Sequence, residues 1–188
     1  PTANIALIVI KPGGNTATIF KSPHNQFERI TSEFDSHLAV HQNQMVQLDK
    51  EFNAIIHAQP LYLTLLSHIN RYQNYSFLNS HLLRWQPETI IQFSEGLGII
   101  PFEIPGSPEL MTATVEKLRQ HRLVIWAKHG VMARSGKSVK EVVDIIEYAE
   151  TAARYEYLNL TVGEVGEGLT SAEIRSICLS AGIKQNIF

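Results

Sequence analysis

Residues 123–134 limit most strongly what this chain can fold into. Leu123 to Ala127 (LVIWA) is short and apolar without a break, the pattern of a buried strand. Lys128-His129-Gly130 then turns the chain, and Val131 to Arg134 leads back. A strand that reverses onto its neighbour pairs antiparallel, so an all-parallel sheet is not expected. Ala3 to Ile10 repeats the theme. It reads as a buried strand, and Pro12-Gly13-Gly14-Asn15 is turn chemistry between it and a second strand at Thr16 to Phe20.

Helical segments alternate with these strands. Thr31 to Gln44 reads as a helix capped by Thr31, with Glu33 in the first turn and Phe34 and Leu38 on one face. Asn53 to His57 is a short strand, and Pro60 opens a helix over 61–69. Asn70 to Ser80 reads as loop, while Glu88 to Phe93 and Leu97 to Ile104 read as extended. Ser107-Pro108-Glu109 starts a helix that runs to about His121. Ser138-Val139-Lys140-Glu141 and Thr170-Ser171-Ala172-Glu173 are capping boxes. The first opens a long helix to about Leu160, with Val142, Ile145, Ile146, Ala149, Ala152 and Ala153 on one face. The expected fold is α/β: a central, largely antiparallel sheet flanked by helices on both faces.

Composition excludes several classes of function. A chain of 188 residues that is 44% hydrophobic and only 18% charged is not a disordered one. A net charge of −2 with no basic stripe gives no reason to expect nucleic acid. The opening apolar run, Ile5 to Ile10, is far short of the roughly 18 residues of a membrane span. Cys178 is the single cysteine, so no disulfide within the chain and no cysteine zinc site is expected, which suits a reducing cytoplasm. The start shows neither a basic segment nor a cleavage site of the secretory type.

Three constellations compete for chemistry. His37 and His41 stand four apart on the first predicted helix, with Glu33 a turn earlier. Two imidazoles on one helix face can grip an ion, but the metalloprotease pattern needs Glu directly after the first His, where Leu38 stands. The plainer reading is a half-buried helix face. His57 and Gln59 form the second set, with His129 in the hairpin turn. Residues i and i+2 of a strand face one way, and three ligands with open positions are what catalytic zinc uses. The plainer reading here is a cap and a satisfied turn histidine. The third, Ser135-Gly136-Lys137-Ser138, resembles the end of a P-loop, but the required glycine position holds Val131. It is a loop leading into the cap.

Taken in order, Thr31 to Phe34 with His37, Asn53 to Gln59, Gly96 to Gly106 with the Ser107 helix, Leu123 to Val131 and Glu147-Tyr-Ala-Glu150 resemble the class II, metal-dependent aldolase and adducin family. The spacings agree, with 24 residues from Glu33 to His57 and 72 from His57 to His129. The resemblance implies reversible cleavage of a ketose 1-phosphate to dihydroxyacetone phosphate and an aldehyde. It implies Zn2+ or another divalent metal on His57, Gln59 and His129, Glu33 as the catalytic acid–base group, and Glu88 as a possible second acid. It also implies a cytoplasmic homotetramer, and removes His37 and His41 from the ligand set. Gln59 stands where the family usually has histidine. Residues 1–188 are expected to form a single domain of this family without its N-terminal part, which would carry the phosphate-binding loops, so no phosphate-binding residue is assigned. Another sugar-phosphate aldolase, epimerase or dehydratase activity on the same metal site stays open, as does a non-catalytic scaffold like the adducin head.

Overall fold

The structure, a computed structural model, describes residues 4–11, 13–14, 16–25, 27, 29–163 and 165–188. The chain divides into two compact units, Pro1–Ser32 and Glu33–Phe188. The first is a hairpin of β1 (Ala6–Ile10) and β2 (Ala17–Lys21), antiparallel with Ile8 opposite Ile19. Gly13 and Gly14 take φ +94° and +76°, a left-handed turn that favours residues without a Cβ. Ala3, Pro12 and Asn15 of the expected strand and turn lie outside the described residues. The strands form as read, but their burial does not: Leu7 is 62% exposed and Phe20 56%. A two-stranded ribbon has no second layer of its own to cover it.

The second unit is built on four strands, β3 (Ala54–Ala58), β4 (Gly98–Ile100), β5 (Leu123–Trp126) and β6 (Gly130–Ser135), in the order β3-β6-β5-β4. β3 with β6 and β6 with β5 are antiparallel, and β4 with β5 is parallel. Alternation along the strands explains their unbroken apolar runs. Leu123, Ile125, Val131 and Ala133 face a layer containing α2 (Leu61–Leu66), α3 (Tyr75–Leu82), α6 (Val139–Thr161) and α7 (Ser171–Ala181). Val124, Trp126, Met132 and Ile55 face α1 (Phe34–Gln42) and α5 (Pro108–Gln120) on the other side. Both faces are covered, so both sets of alternate residues are apolar.

Several segments differ from the sequence reading. The segment read as loop contains a 3₁₀ turn at Asn70–Gln73 and then α3, which Asn74 caps by accepting from the Phe77 N–H at 3.0 Å. Glu88 to Phe93 is not extended. It is α4 (Pro87–Gln92), with Pro87 in the first turn and Thr89 and Ile90 buried. α1 starts after Glu33 rather than at Thr31, and its buried stripe is Glu33, Ser36 and Val40, not Phe34 and Leu38. It runs on into a wider π-helical turn, Asn43–Gln47, that buries Asn43 and Gln44. Most of that stripe is polar, so hydropathy points the helix the wrong way.

The capping box at Thr170 is complete, with Glu173 accepting from the Thr170 N–H at 2.8 Å. Only half of the one at Ser138 forms. Ser138 accepts from the Glu141 N–H, but the Glu141 carboxylate turns to the Ser135 hydroxyl and to Lys137.

Candidate active site

Strand ends and one tight turn assemble this site. β3 ends at Ala58, so His57 is its penultimate residue and Gln59 lies just past it. β5 and β6 are joined through Ala127, Lys128 and His129, with Trp126 opposite Gly130. Lys128 turns the corner with φ +66°, a left-handed conformation that a non-glycine residue keeps only where its surroundings enforce it. Here its backbone N–H donates to the Ser67 hydroxyl at 2.7 Å. α2 anchors the same region from its other end. Its first N–H groups have no helical partner, and the Glu150 carboxylate of α6 accepts from the Tyr62 and Leu63 N–H at 2.8 and 2.9 Å. The segment 58–60 is thereby held between a sheet and a capped helix.

The imidazoles meet at this end of the sheet. The His57 ring lies over the Trp126 indole, centroids 4.7 Å apart, and presents to the His129 ring at 5.1 Å. His57 Nδ1 is 2.9 Å from the Val131 carbonyl oxygen. A carbonyl only accepts, so Nδ1 carries the proton and Nε2 keeps its lone pair. Burial, with a smaller contribution from His129, pulls the His57 pKa below its ordinary value, against the Val131 bond and the Glu33 carboxylate, which raise it. The ring is therefore neutral near pH 7 and can act as a ligand. His129 Nδ1 is buried with no hydrogen-bond partner among the described residues, and so is Trp126 Nε1.

Glu33, 3% exposed, stands where α1 begins and couples electrostatically to His57. His37, one turn on, is held down to about 4 by burial, then by His57 and His41. The first and second constellations thus converge, with α1 bringing Glu33 and His37 to the histidines of the sheet. Gln59 is exposed, and a Cβ placed on Gly130 would lie 3.1 Å from its Cγ, 3.3 Å from His57 Cε1 and 2.5 Å from the Ala58 carbonyl oxygen. Gly130 therefore lets β6 approach β3 closely enough to set His129 beside His57 and Gln59. Glu88 is not part of this group. It is exposed in the first turn of α4, which packs on α6 and α7 in the layer on the other face.

A divalent cation needs lone pairs and few competing protons. Nε2 of His57 and the unpartnered nitrogen of His129 supply the first, and the lowered pKa of His57 supplies the second. These residues fit a metal. Among the described residues no group of three His, Cys, Asp or Glu side chains is placed to hold one, so a third protein ligand would come from outside those types, and Gln59 is adjacent. Trp126 was not legible as a site residue, because a tryptophan inside an apolar strand reads as core.

Comparison with known proteins identifies the family. The model of the Class II Aldolase and Adducin N-terminal domain matches residues 4–157, a span that runs through both units. The chain belongs to that family. It is similar to a rhamnulose-1-phosphate aldolase of Listeria monocytogenes, 26% identical over 98% of this chain and 66% of that protein. A rhamnulose-1-phosphate aldolase of Enterococcus faecalis is 30% identical over 84% of this chain and 55% of that one. The chain thus spans less than two thirds of the length of these relatives. Among solved structures, a sugar-phosphate aldolase from Thermotoga maritima superposes with a TM-score of 0.70 at 33% identity, over 87% of this chain and 66% of that one. An L-fuculose 1-phosphate aldolase shares the fold at 20% identity and a TM-score of 0.55, over 94% of this chain and 72% of that one.

Proposed function

We propose that the intact protein is a metal-dependent aldolase that cleaves L-rhamnulose 1-phosphate to dihydroxyacetone phosphate and L-lactaldehyde. The observation that carries this is the His57 imidazole, its Nδ1 on the Val131 carbonyl, facing His129, with the buried Glu33 coupled to it. The relatives named for this activity favour the substrate.

His57, His129 and the amide oxygen of Gln59 would hold the ion, zinc being the first candidate. When bound, it supplies a Lewis acid for the charge that develops on substrate oxygens as the C3–C4 bond opens. The chain does the rest. Val131 keeps the proton of His57 on Nδ1 and so fixes which nitrogen faces the site. Trp126 backs the ring and excludes water from that side. Glu33 carries the proton between the carboxylate and the substrate, accepting it in one direction and returning it in the other. Glu88, in the other layer, keeps its proposed part as a second acid only if Glu88→Gln also lowers turnover. A cytoplasmic homotetramer belongs to the same proposal and is read by sedimentation of the intact protein. Among the described residues no helix is long and apolar enough to cross a membrane.

Tyr72, Tyr75, Phe77 and Trp85, between the two halves of the site, each make contacts within the chain. Tyr72 is wholly buried, the Tyr75 hydroxyl donates to the Glu95 carbonyl, Phe77 stacks on His81 and Trp85 on Tyr155.

The test is product release by the intact protein, offered L-rhamnulose 1-phosphate and L-fuculose 1-phosphate in turn. Dihydroxyacetone phosphate is expected from the first, is lost with a chelator and returns with a divalent ion. Release from the fuculose ester alone would reassign the substrate. Release from neither, with metal bound, would leave the scaffold reading in its place.

A further inference from the structure

We propose that the cleft at the opposite end of the central sheet from His57 and His129 binds a phosphate-type oxyanion. The cleft has a volume of about 560 Å³ and opens where β3 begins and β6 ends. Asn53 lines it, four residues before His57 along an extended chain, which puts it about 13 Å away. It is a separate site from the one already described.

Two donors lining this cleft have no acceptor among the described residues. Gln44, in the π-helical turn, is 2% exposed and Asn53 is 8% exposed. The side-chain amide nitrogen of each is buried without a hydrogen-bond partner among the described residues. Buried polar groups are seldom left in this state, and these two residues line one cleft.

The charged residues around them define its sign. Arg122, Arg134 and Lys137 line the same cleft. Arg134 is half-buried, gives its Nε–H to the Leu118 carbonyl, and has no ion-pair partner among the described residues. The acidic residues nearby are occupied or peripheral. Glu141 already accepts from the Ser135 hydroxyl and Lys137, and Glu95 pairs with Arg122 at 3.0 Å. Asp49 and Glu51 are exposed.

A buried amide pair flanked by guanidinium groups suits a ligand made only of acceptors. A tetrahedral dianion presents oxygens in several directions at once, so it can meet donors carried by the π-turn, the start of β3 and the end of β6. The Ser135-Gly136-Lys137-Ser138 loop is not a P-loop, yet Ser135, Gly136 and Lys137 all line this cleft.

Calorimetric titration of inorganic phosphate into the intact protein tests the assignment. The Asn53→Asp variant keeps the shape while replacing a donor with a carboxylate, and Arg134→Gln removes the half-buried cation. Each is expected to weaken one phosphate-binding step at least about tenfold, the loss of one charge-assisted hydrogen bond. Lys137→Gln, at a side chain 82% exposed, disturbs the fold least and is expected to weaken the same step by a smaller factor. It decides the matter if a buried-site variant does not fold. A parallel titration with dihydroxyacetone phosphate separates the sources. Tighter binding of the ester, lost in the same variants, assigns a phosphorylated metabolite, and equal or weaker binding assigns the free ion. Phosphate affinity unchanged in the folded variants would overturn the proposal.

Discussion

Glu33→Gln in the intact protein is expected to lower turnover of the ketose phosphate by about 10²–10⁴-fold, the usual contribution of a positioned acid–base group. The substitution is nearly isosteric, and Glu33 sits at the start of α1 with 3% exposure, so neither volume nor packing changes much. The carboxylate's influence on His57 raises that ring's proton affinity. Its loss should therefore leave His57 more readily neutral and metal content undiminished. The signature is a fall in kcat with metal and melting temperature close to those of the parent. Turnover equal to the parent's would remove Glu33 from the mechanism.

The second large effect is on stability. Glu156, 1% exposed on α6, accepts from the Tyr72 hydroxyl, from Trp85 Nε1 at 3.0 Å and from Arg84 at 3.3 Å. Burial first, then the bond to Glu156, pushes the Tyr72 phenol's pKa well above its ordinary value, so it remains a donor. Removing a partner from a buried charged network typically costs about 3–5 kcal/mol. Arg84, with its side chain 19% exposed, can recover some hydration, which puts Glu156→Ala near the low end, about 3 kcal/mol. In a chain of 188 residues that corresponds to a drop in melting temperature of roughly 6–12 °C. A change of less than about 2 °C would show that the network contributes little.

The parts of the fold that were legible are those where local pattern and burial agree. The hairpin of β5 and β6, the long α6 and the Thr170 capping box carry short apolar runs or cap residues whose meaning does not depend on distant neighbours. The misread parts are those where the buried side chain is polar. Asn79 lies on the inner face of α3 because its amide accepts from the Leu97 N–H at 2.7 Å and donates to the Leu97 carbonyl at 3.0 Å, a partner that only the folded chain supplies. The polar stripe of α1 failed to signal for the same reason. In 88–93 the β-branched and aromatic residues suggested a strand, but Pro87 is compatible with a first helical turn, and the burial of Ile90 and Phe93 against α6 and α7 decided the matter. Periodicity alone does not separate the two for so short a run.

The candidate site followed a similar division. His57 at a strand end and His129 in a turn were legible because those places commonly carry function. The stacking of His57 on Trp126, the proximity of His37, and the pairing of Gln44 with Asn53 around one cleft depend on which strands and helices meet.

The most direct measurement of the central claim is the metal content of the purified intact protein beside its His57→Ala and His129→Ala variants, with folding checked by thermal melts. One divalent ion per chain is predicted in the parent, with loss of most of it in each variant while the fold persists. Full metal occupancy in both folded variants would contradict the account.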